Sequence, residues 1–524
     1  MYRVIILLVL LSSPLAAQTH AVRRSQTAPS AVKEQGPANV LRKLLTDPAT
    51  ADTSVAALTS TGDPELLPLF AAMAAKGDLA RRSLAVSAAA KLGEGDPSTA
   101  IQTGAADILY DRVCNDASAE VRAEALGQLI ALKGISDDRL AELLKSDDQN
   151  LQCLAARAMI RHGKEGPSVE TLKNLTGSTA VAVACLARVT LLGKGDAAQL
   201  APLSAVLTDP ATPEPLVILL LQQIIEEKVA AAGPVAAKIA AGAESVPLKV
   251  RAYHAAAAVS AKGPALLAEA IAKSNHTLVR AQLLQILADM PDARPALEKI
   301  ARGDDAVAKL AKLELFRTAG DAEGPAGSDA AAKAACDAVA SGHAMVIDYV
   351  LGRARQDITR STELTDKVAK PASSAFYAPA LIAVLNSVQV SSPIMLPEHT
   401  QAAQAAELLG ELATPQAAQT VTAILNGHYN ALARAVAAGL LRCKNKAVCD
   451  WMAPLLASPY DELATDAALT LGQHGDGRAA AELQDILAHS RRYPPEMTAL
   501  AAWDLVKLSG QTKPTVAALC ETIK

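Results

Sequence analysis

The amino-acid sequence predicts an all-α protein, namely a right-handed α-solenoid (superhelix) of antiparallel helix pairs. Three observations predict this fold class. Hydrophobic residues make up 51% of the 524 residues but aromatic residues only 2%, and the many Ala and Leu residues suit closely packed helices. Strand-like runs rich in β-branched and aromatic residues are nearly absent. Helix-stop residues recur at intervals of about 30 residues, a period typical of helical repeats.

Residues 1–17 have the pattern of a cleaved secretory signal. A short positive start precedes the apolar run Val4–Leu11, and the sequence Leu15-Ala16-Ala17 favours cleavage after Ala17. The apolar run is too short for a spanning helix, although an N-terminus that anchors the chain in a membrane is an alternative. We therefore expect an exported bacterial protein, periplasmic or secreted. Residues 18–38 show little periodicity, and we interpret them as a flexible leader.

The stretch from Ala117 to Asp148 predicts one helical hairpin. Its first segment repeats apolar residues at helical spacing, with Ser118 as the expected N-cap and Gly134 as the expected stop. Its second segment has a leucine stripe, and we expect Asp137 or Asp138 to cap it. Neither helix is long enough to be stable alone in water, so each must bury its apolar stripe on a neighbouring copy.

Variants of this hairpin recur on both sides of it. Expected stops lie 28 to 30 residues apart over two stretches of the chain. These stops are Gly134, Gly163 and Gly193 in the first stretch, and Gly233, Gly263, Pro291 and Gly320 in the second. We expect about a dozen helix pairs in two solenoid blocks, 39–320 and 400–524. Between the blocks, residues 321–399 depart from the pattern and predict irregular helices with longer loops, where binding sites are often found.

An arginine recurs near the start of the second helix of several pairs. It follows valine at Arg122, Arg251 and Arg280, and Arg81 and Arg434 take similar places. One interpretation is a basic ladder on the concave face that binds an acidic partner protein. The other interpretation is structural, with each arginine capping or pairing with an inter-repeat aspartate such as Asp78 or Asp116, and such exposed pairs add little stability individually.

The sequence resembles the HEAT-repeat family in three features together: the recurring valine–arginine motif, the glycine stops and the Pro-x-Leu helices. The resemblance is strongest to the short form of about 30 residues found in phycobilin-lyase-like proteins, and it covers 39–320 and 398–524. It implies an architecture and leaves activity open, because fold does not imply function. Deoxyhypusine hydroxylase, which has a HEAT-like scaffold, binds iron through His-Glu pairs, but no histidine here is followed by Glu. We therefore expect no metal and no cofactor.

The chain has seven cysteines, an odd number for an exported protein. Cys443 and Cys449 flank a short loop between two predicted helices, and we predict a disulfide between them. Whether the other cysteines are free or paired is left open by the sequence. These are Cys114, Cys153, Cys185, Cys336 and Cys520.

Aromatic residues, though few, are concentrated in the C-terminal part of the chain. Tyr460 and Tyr493 each stand beside a proline, in turns, and are therefore candidates for a partner-binding surface. Trp451 and Trp503 either fill core space in the late repeats or serve as interface anchors. The partner-binding candidates of the sequence are thus these two tyrosines and the five arginines.

The sequence favours an exported, non-catalytic scaffold that binds another protein. A net charge of −4 and few aromatic rings argue against nucleic acid as a partner, and no apolar run predicts a transmembrane span. One alternative is an exported enzyme whose site lies in 321–399. Its polar residues would be His343, Asp348, Arg353, Arg355 and His399. A second alternative is a structural envelope protein that self-associates through its ends. The oligomeric state and the partner are left open.

Overall fold

The computed structural model describes residues 36–95, 99–323, 325–363, 374–388, 397–427 and 430–523. Over these ranges the chain forms α-helices and short 3₁₀ turns without strands, so the predicted all-α solenoid of antiparallel helix pairs is confirmed. No helix in the same ranges is both long enough and apolar enough to cross a bilayer.

Twenty-nine α-helices lie within the described ranges, and we number them in chain order. They are α1 Pro37–Thr46, α2 Ala51–Ser60, α3 Leu67–Lys76, α4 Leu79–Gly95, α5 Thr99–Asn115, α6 Ala119–Ala131, α7 Asp137–Leu143, α8 Gln149–Arg161, α9 Gly166–Leu175, α10 Val181–Gly193, α11 Leu200–Thr208, α12 Glu214–Glu226, α13 Gly233–Gly242, α14 Val246–Ala258, α15 Gly263–Lys273, α16 Thr277–Ala288, α17 Arg294–Ala301, α18 Ala306–Glu323, α19 Pro325–Val339, α20 Ala344–Glu363, α21 Ala378–Ser387, α22 Pro397–Leu412, α23 Pro415–Leu425, α24 Ala431–Leu440, α25 Val448–Met452, α26 Asp461–Gln473, α27 Ala480–Ala488, α28 Pro495–Leu508 and α29 Thr512–Ile523.

The helices alternate between two layers. Odd-numbered helices are the first helices of the pairs and even-numbered helices are the second helices. Every second helix contacts the second helix that follows it, whereas contacts between successive first helices are fewer. In a curved array the layer with closer neighbours lies on the inner side of the curve, so the second helices form the concave layer. Their small alanine side chains suit this close approach.

Helix starts follow the expected capping chemistry, with one correction. Ser118 accepts a hydrogen bond from the backbone N–H of Val121 as predicted, and Asp148 caps α8 in the same way. The cap of α7 is Ser136 rather than Asp137 or Asp138, which lie inside the first turn. There the two carboxylates still face the positive end of the helix dipole.

Helix stops differ from the predicted series. The left-handed backbone conformation that ends a second helix falls on Gly163 and Gly195, and on Lys133 one residue before the predicted stop. Gly233 and Gly263 instead begin first helices, each followed by a proline at the second position. The predicted spacing of the repeats is correct, but the glycines occupy two different kinds of turn. Only the turn that ends a second helix needs a positive φ, which favours glycine.

The predicted irregular segment continues the same array. Helices α19, α20 and α21 occupy first, second and first positions, and α20 contacts the second helices on either side of it. Residues 364–373 and 389–396 of this segment lie outside the described residues, as do the predicted signal and most of the leader. The predicted leader ends early, because α1 already begins at Pro37. The domain boundaries themselves stay a prediction.

The two ends of the array meet. Helix α28 packs against α2 and α1, and α29 packs beside α1 and α3. The indole Nε1 of Trp503 donates to Asp63 Oδ2 at 3.2 Å, and Lys507 Nζ lies 3.2 Å from the same oxygen. Leu58 and Trp503 are both fully buried in one hydrophobic cluster. The fourteen second helices of the described ranges therefore form a closed circuit, in which α28 is followed by α2.

Candidate protein-binding surfaces

Two of the five candidate arginines join consecutive repeats. Arg122 Nη2 lies 2.6 Å from Asp148 Oδ2, while Asp148 Oδ1 accepts the backbone N–H of Asn150 at 2.9 Å. Arg280 Nη2 lies 2.7 Å from Asp305 Oδ2, and Asp305 Oδ1 accepts a backbone N–H in the same way. Each aspartate thus caps one second helix and binds the arginine of the preceding one. The structural interpretation accounts for these two residues.

The first member of the series is shifted by one residue. Arg82, not Arg81, makes the inter-repeat pair, with Nε 2.9 Å from Asp116 Oδ2 and Nη2 3.2 Å from Asp116 Oδ1. Arg81 approaches Asp52 and Asp78 only to 3.8 Å. Because one residue turns a helix by about 100°, Arg81 does not face Asp116 and instead approaches Asp52 of α2, the preceding second helix. Spacing from a distant glycine could not distinguish these neighbouring arginines.

Arg251 and Arg434 lie farther along the concave layer. Arg251 donates to the side-chain oxygen of Gln222 in the preceding second helix. Arg434 is half-buried and its charge acts on Asp466 of the following second helix. Burial raises the pKa of Asp466 to about 7, and the positive charge of Arg434 opposes that rise. Both arginines therefore also interact across second helices, and a partner-binding role for any of the five stays a prediction.

The two candidate tyrosines differ in exposure. Tyr460 is 43% exposed at the N-cap of α26, whereas Tyr493 is half-buried and packs on the main hydrophobic cluster. Tyr493 is therefore less available than predicted, because the turn that carries it folds back onto the core. Trp451 and Trp503 are buried, as core residues would be.

Tyr460 belongs to a set of exposed apolar side chains that the sequence analysis missed. Leu79, Val181 and Leu278 are 46%, 52% and 40% exposed. Leu79 and Val181 begin α4 and α10, and Leu278 is the second residue of α16. Second helices run parallel to one another, so their N-terminal ends lie along one edge of the array. We call these four residues the N-terminal edge; an apolar residue at the cap of a second helix or within two residues after it was the available signal.

The five polar residues of the predicted enzyme site are not brought together. Arg353 points at Glu314 and Asp289. Arg355 pairs with Glu407 at 2.8 Å. The other three residues also differ in their surroundings: Asp348 accepts from Gln401 at 2.7 Å, His343 is exposed before α20, and His399 is buried in α22. Arg353, Arg355 and Asp348 are therefore each engaged by a residue outside the predicted set.

Arg353 is instead the centre of a buried ionic network, the Arg353 cluster, formed by Arg353, Glu314, Asp289, Arg317 and Tyr349. Arg353 Nε donates to Glu314 Oε1 at 2.8 Å, and Nη1 lies 3.0 Å from Asp289 Oδ1. Tyr349 donates its hydroxyl proton to Glu314 at 2.6 Å, and Arg317 Nε donates to the other Glu314 oxygen at 2.6 Å. Burial and the Glu314 charge raise the pKa of Tyr349. The network ties α16, α18 and α20 together.

A second network of this kind lies near the middle of the N-terminal half. Arg157 of α8 donates through Nε to Thr190 of α10 at 3.0 Å, and through Nη2 to Gln223 of α12. Its Nη2 also lies 3.4 Å from Glu227. In both networks an arginine connects second helices that are two positions apart. Such a contact is available only on the concave side, because first helices cover the convex side.

These network residues were missed, although a positional signal existed. Arg157, Thr190, Gln223, Glu314 and Arg353 each lie eight or nine residues after the first residue of their second helix. A polar residue at this position interrupts the apolar stripe once per repeat. Repeats that are aligned on their glycines and on the early arginine do not reveal that this later position is polar in several repeats.

The predicted disulfide is absent: Cys443 and Cys449 are both free thiols. Cys443 packs against Gly410 of α22 and accepts the backbone N–H of Asn445 at 3.4 Å. Burial raises the pKa of both thiols, with a further contribution from Glu411 at Cys443 and from Asp476 at Cys449. Cys443 thus faces α22 of the preceding repeat, whereas the charge that acts most on the Cys449 thiol belongs to Asp476 of the following repeat, and a short loop alone did not suffice for pairing. In the described ranges, Cys114, Cys153, Cys185 and Cys336 are free thiols as well.

Taken together, the fold and these surfaces define an α-solenoid repeat protein, with paired helices joined by arginine–aspartate contacts and closed end to end. In the described part of the chain, no three His, Cys, Asp or Glu side chains are grouped so as to hold a metal ion. The terminal faces are covered by each other, so the predicted self-association through free ends has no open surface in this conformation.

Comparisons with known proteins yield only likenesses to solved structures at low sequence identity. No protein-family model matches it, and no curated protein does. A mutant of the karyopherin Kap121p is 11% identical with a TM-score of 0.34, over 92% of this chain and 58% of the karyopherin. A homology model of the AP-3 complex is 12% identical with a TM-score of 0.29, over 94% and 93%. Kap121p bound to Nup53p is 13% identical with a TM-score of 0.28, over 92% and 54%. This chain thus spans little more than half the length of the karyopherin.

Proposed function

We propose that the protein is an exported, non-catalytic scaffold that binds partner proteins through the N-terminal edge. The observation that carries this proposal is the position of its most exposed large apolar side chains. Leu79, Val181, Leu278 and Tyr460 are the strongly exposed ones in the described ranges, and all four lie at the N-terminal ends of second helices. Because the second helices are parallel and form a closed circuit, the four residues lie around one rim of that circuit, and a partner that contacts all four extends across the rim.

The chemistry of this edge suits a protein surface. Full burial of an apolar side chain of this size contributes about 1.5–3 kcal/mol, and tyrosine is frequent among residues that dominate binding energy. The first turn of each helix also presents backbone N–H groups without intrahelical partners, which can donate hydrogen bonds to carboxylate or carbonyl oxygens of a partner. The four residues lie in four different repeats, so the partner is a protein that spans several repeats.

The test compares two variants of the purified chain as bait against envelope and culture fluid of the source cells. The edge variant combines Leu79→Ser, Val181→Ser, Leu278→Ser and Tyr460→Ser. The control combines Ala201→Ser, Ala241→Ser and Ala517→Ser, exposed residues of first helices. We expect a partner that wild type and control recover equally and that the edge variant loses by tenfold or more. Equal recovery by all three baits would contradict the proposal, provided that circular dichroism shows the same helix content.

Export rests on the sequence of residues 1–17, which lie outside the described residues. We infer that the mature chain begins at Gln18, after cleavage that follows Ala17. Mass spectrometry of the intact protein from the periplasm or the culture fluid measures this directly. A cytoplasmic protein that retains Met1 would exclude export.

Finer features of the architecture are proposals too. We infer that the repeats belong to the short HEAT form of phycobilin-lyase-like proteins, on the strength of the roughly 30-residue spacing and the valine–arginine text. We also infer two solenoid blocks, 39–320 and 400–524, separated by 321–399. Limited proteolysis that cuts first within 364–373 or 389–396 would support this division.

A further inference from the structure

A cleft opens between two consecutive repeats, on the rim that carries the N-terminal edge. Its volume is about 370 Å³. One wall is the turn between α5 and α6, and the other is the turn between α7 and α8. Along the rim the cleft lies midway between Leu79, which begins α4, and Val181, which begins α10. We call it the edge cleft, and its lining includes Val113, Cys114, Leu143, Asp147, Asp148 and Leu151.

The inner part of the edge cleft is apolar. Val113, Leu143 and Leu151 line it although they are only 1%, 7% and 2% exposed. All three belong to the hydrophobic cluster that contains the core side chains of α6. Cys114 and Asp147, in contrast, are exposed, so they stand at the mouth of the cleft. The edge cleft therefore joins an apolar floor to a polar opening.

The mouth of the edge cleft carries a negative charge, because one carboxylate is left over from the inter-repeat ion pairs. Asp148 binds Arg122 through Oδ2 and caps α8 through Oδ1. Asp116, which also lines the cleft, is bound by Arg82 through both carboxylate oxygens. Asp147 takes part in no ion pair among the described residues. A ligand that enters the cleft thus meets two neutralised carboxylates and one that is still available.

A cationic side chain with an aliphatic stem fits this arrangement. Lysine and arginine bury their methylene stems along apolar surface while their charged head groups stay at the polar boundary. Charge-assisted hydrogen bonds of such a head group to a carboxylate are stronger than neutral ones. An acidic side chain would be repelled by Asp147, and an apolar one would remove water from that carboxylate without replacing its hydrogen bonds. The edge cleft therefore favours a basic side chain over both.

We propose that the edge cleft receives a lysine or arginine side chain of the partner protein, with the stem on the apolar floor and the head group at Asp147. This inference rests on the proposed function, since it defines the chemistry of the partner at the same rim. Adjacent second helices lie about 10 Å apart, so Leu79 and Val181 are each about 15 Å from the cleft. The partner thus presents a basic side chain between two apolar contacts, one on each side.

Cys114 reports on the mouth of the edge cleft directly, because its thiol is exposed and free. Two methanethiosulfonate reagents modify the unaltered chain, one with an ethylammonium group and one with an ethylsulfonate group, and peptide mass spectrometry follows Cys114 separately from the other cysteines. Each rate is divided by the rate of the same reagent with free cysteine. The ammonium reagent is a short cationic chain like that of lysine, so we expect it to modify Cys114 about tenfold faster than the sulfonate reagent. Equal corrected rates overturn the proposal.

Asp304 supplies the matched control for Asp147. It precedes the capping residue Asp305 as Asp147 precedes Asp148, and it is also exposed, but it belongs to a different inter-repeat junction. Asp147→Asn should lower the preference of Cys114 for the ammonium reagent at least threefold, whereas Asp304→Asn should retain it. The same preference in both variants overturns the proposal.

The capture experiment separates this proposal from the proposed function. Used as baits, Asp147→Lys should recover at least tenfold less partner than Asp304→Lys, because the new ammonium group repels a basic side chain at the mouth of the cleft. Equal recovery by these two baits, while the edge variant still loses the partner, overturns the cleft proposal and leaves the proposed function standing. If no bait recovers a partner, the proposed function fails, and the Cys114 rates then decide whether the cleft prefers a cation.

Discussion

Replacing Arg353 with methionine removes the centre of the Arg353 cluster at almost unchanged side-chain length. Arg353 is fully buried, and its guanidinium group lies 2.8 Å from Glu314, 3.0 Å from Asp289 and 2.8 Å from the carbonyl oxygen of Gln285. Breaking a buried ion pair from one side costs about 3–5 kcal/mol, because the remaining charge stays buried without compensation. Arg317 and Tyr349 continue to bind Glu314, so we expect a value near the lower end, about 3 kcal/mol.

Urea unfolding followed by circular dichroism measures the loss of stability, and hydrogen exchange in α16, α18 and α20 locates it. Arg294→Met is the matched control, because Arg294 pairs with Glu298 at 3.2 Å while both side chains are at least half exposed. That variant should cost less than about 0.5 kcal/mol. Adding Glu314→Leu to Arg353→Met should recover part of the loss, since the double variant no longer buries an uncompensated carboxylate. The reasoning is refuted if Arg353→Met costs no more than Arg294→Met.

Three further outcomes follow from single positions. Ala413 has a φ of +46°, so Ala413→Gly should raise the free energy of unfolding by about 0.5–1 kcal/mol in urea titrations. Gly439→Ala should lower the thermal midpoint, because a β-carbon there would lie 2.1 Å from the Ala403 carbonyl oxygen and such overpacking costs about 1–3 kcal/mol. Burial, together with the charge of Arg251, lowers the pKa of His254 to about 4, so stability should fall as the pH drops from about 6.5 to about 4. His254→Asn should remove up to about 3 kcal/mol of that loss in urea titrations between pH 7 and pH 4, and an unchanged acid sensitivity would contradict this.

The helix pairs were predictable from the sequence because capping and apolar periodicity are local. Ser118 and the apolar stripe that follows it predict the bounds of α6 to within a few residues. The same sequence pattern then identifies the other repeats. Inter-repeat pairs were partly predictable, since Arg122 needs an acidic partner and aspartates recur at the following turns. Arg81 shows the limit of this reasoning. Sequence spacing does not determine which of two adjacent residues faces a given neighbouring helix, and only the packing of the helices determines it.

The closed circuit and the networks on its concave side could not be predicted from local patterns. Curvature is the sum of many small rotations between repeats, and no single residue determines it. Nothing in the sequence around Trp503 or Asp63 indicates that these two residues are in contact. The N-terminal edge could not be predicted for a different reason. A leucine or valine at the start of a helix is expected to be buried, and only the position of the preceding turn in the fold shows that it is exposed.

The meeting of Asp63 with Trp503 also constrains how the chain folds. An ordinary repeat array can fold from its first repeat onward, because each new repeat needs only the one before it. Here α1 and α2 acquire their last neighbours only after residues 495–523 have been synthesised, and the contact between Asp63 and Trp503 joins residues separated by 440 in the sequence. Until then the apolar side of α2 that receives Trp503 is uncovered in the nascent chain. A C-terminal deletion therefore damages the N-terminal repeats first, and chaperone protection is needed most at the beginning of the protein.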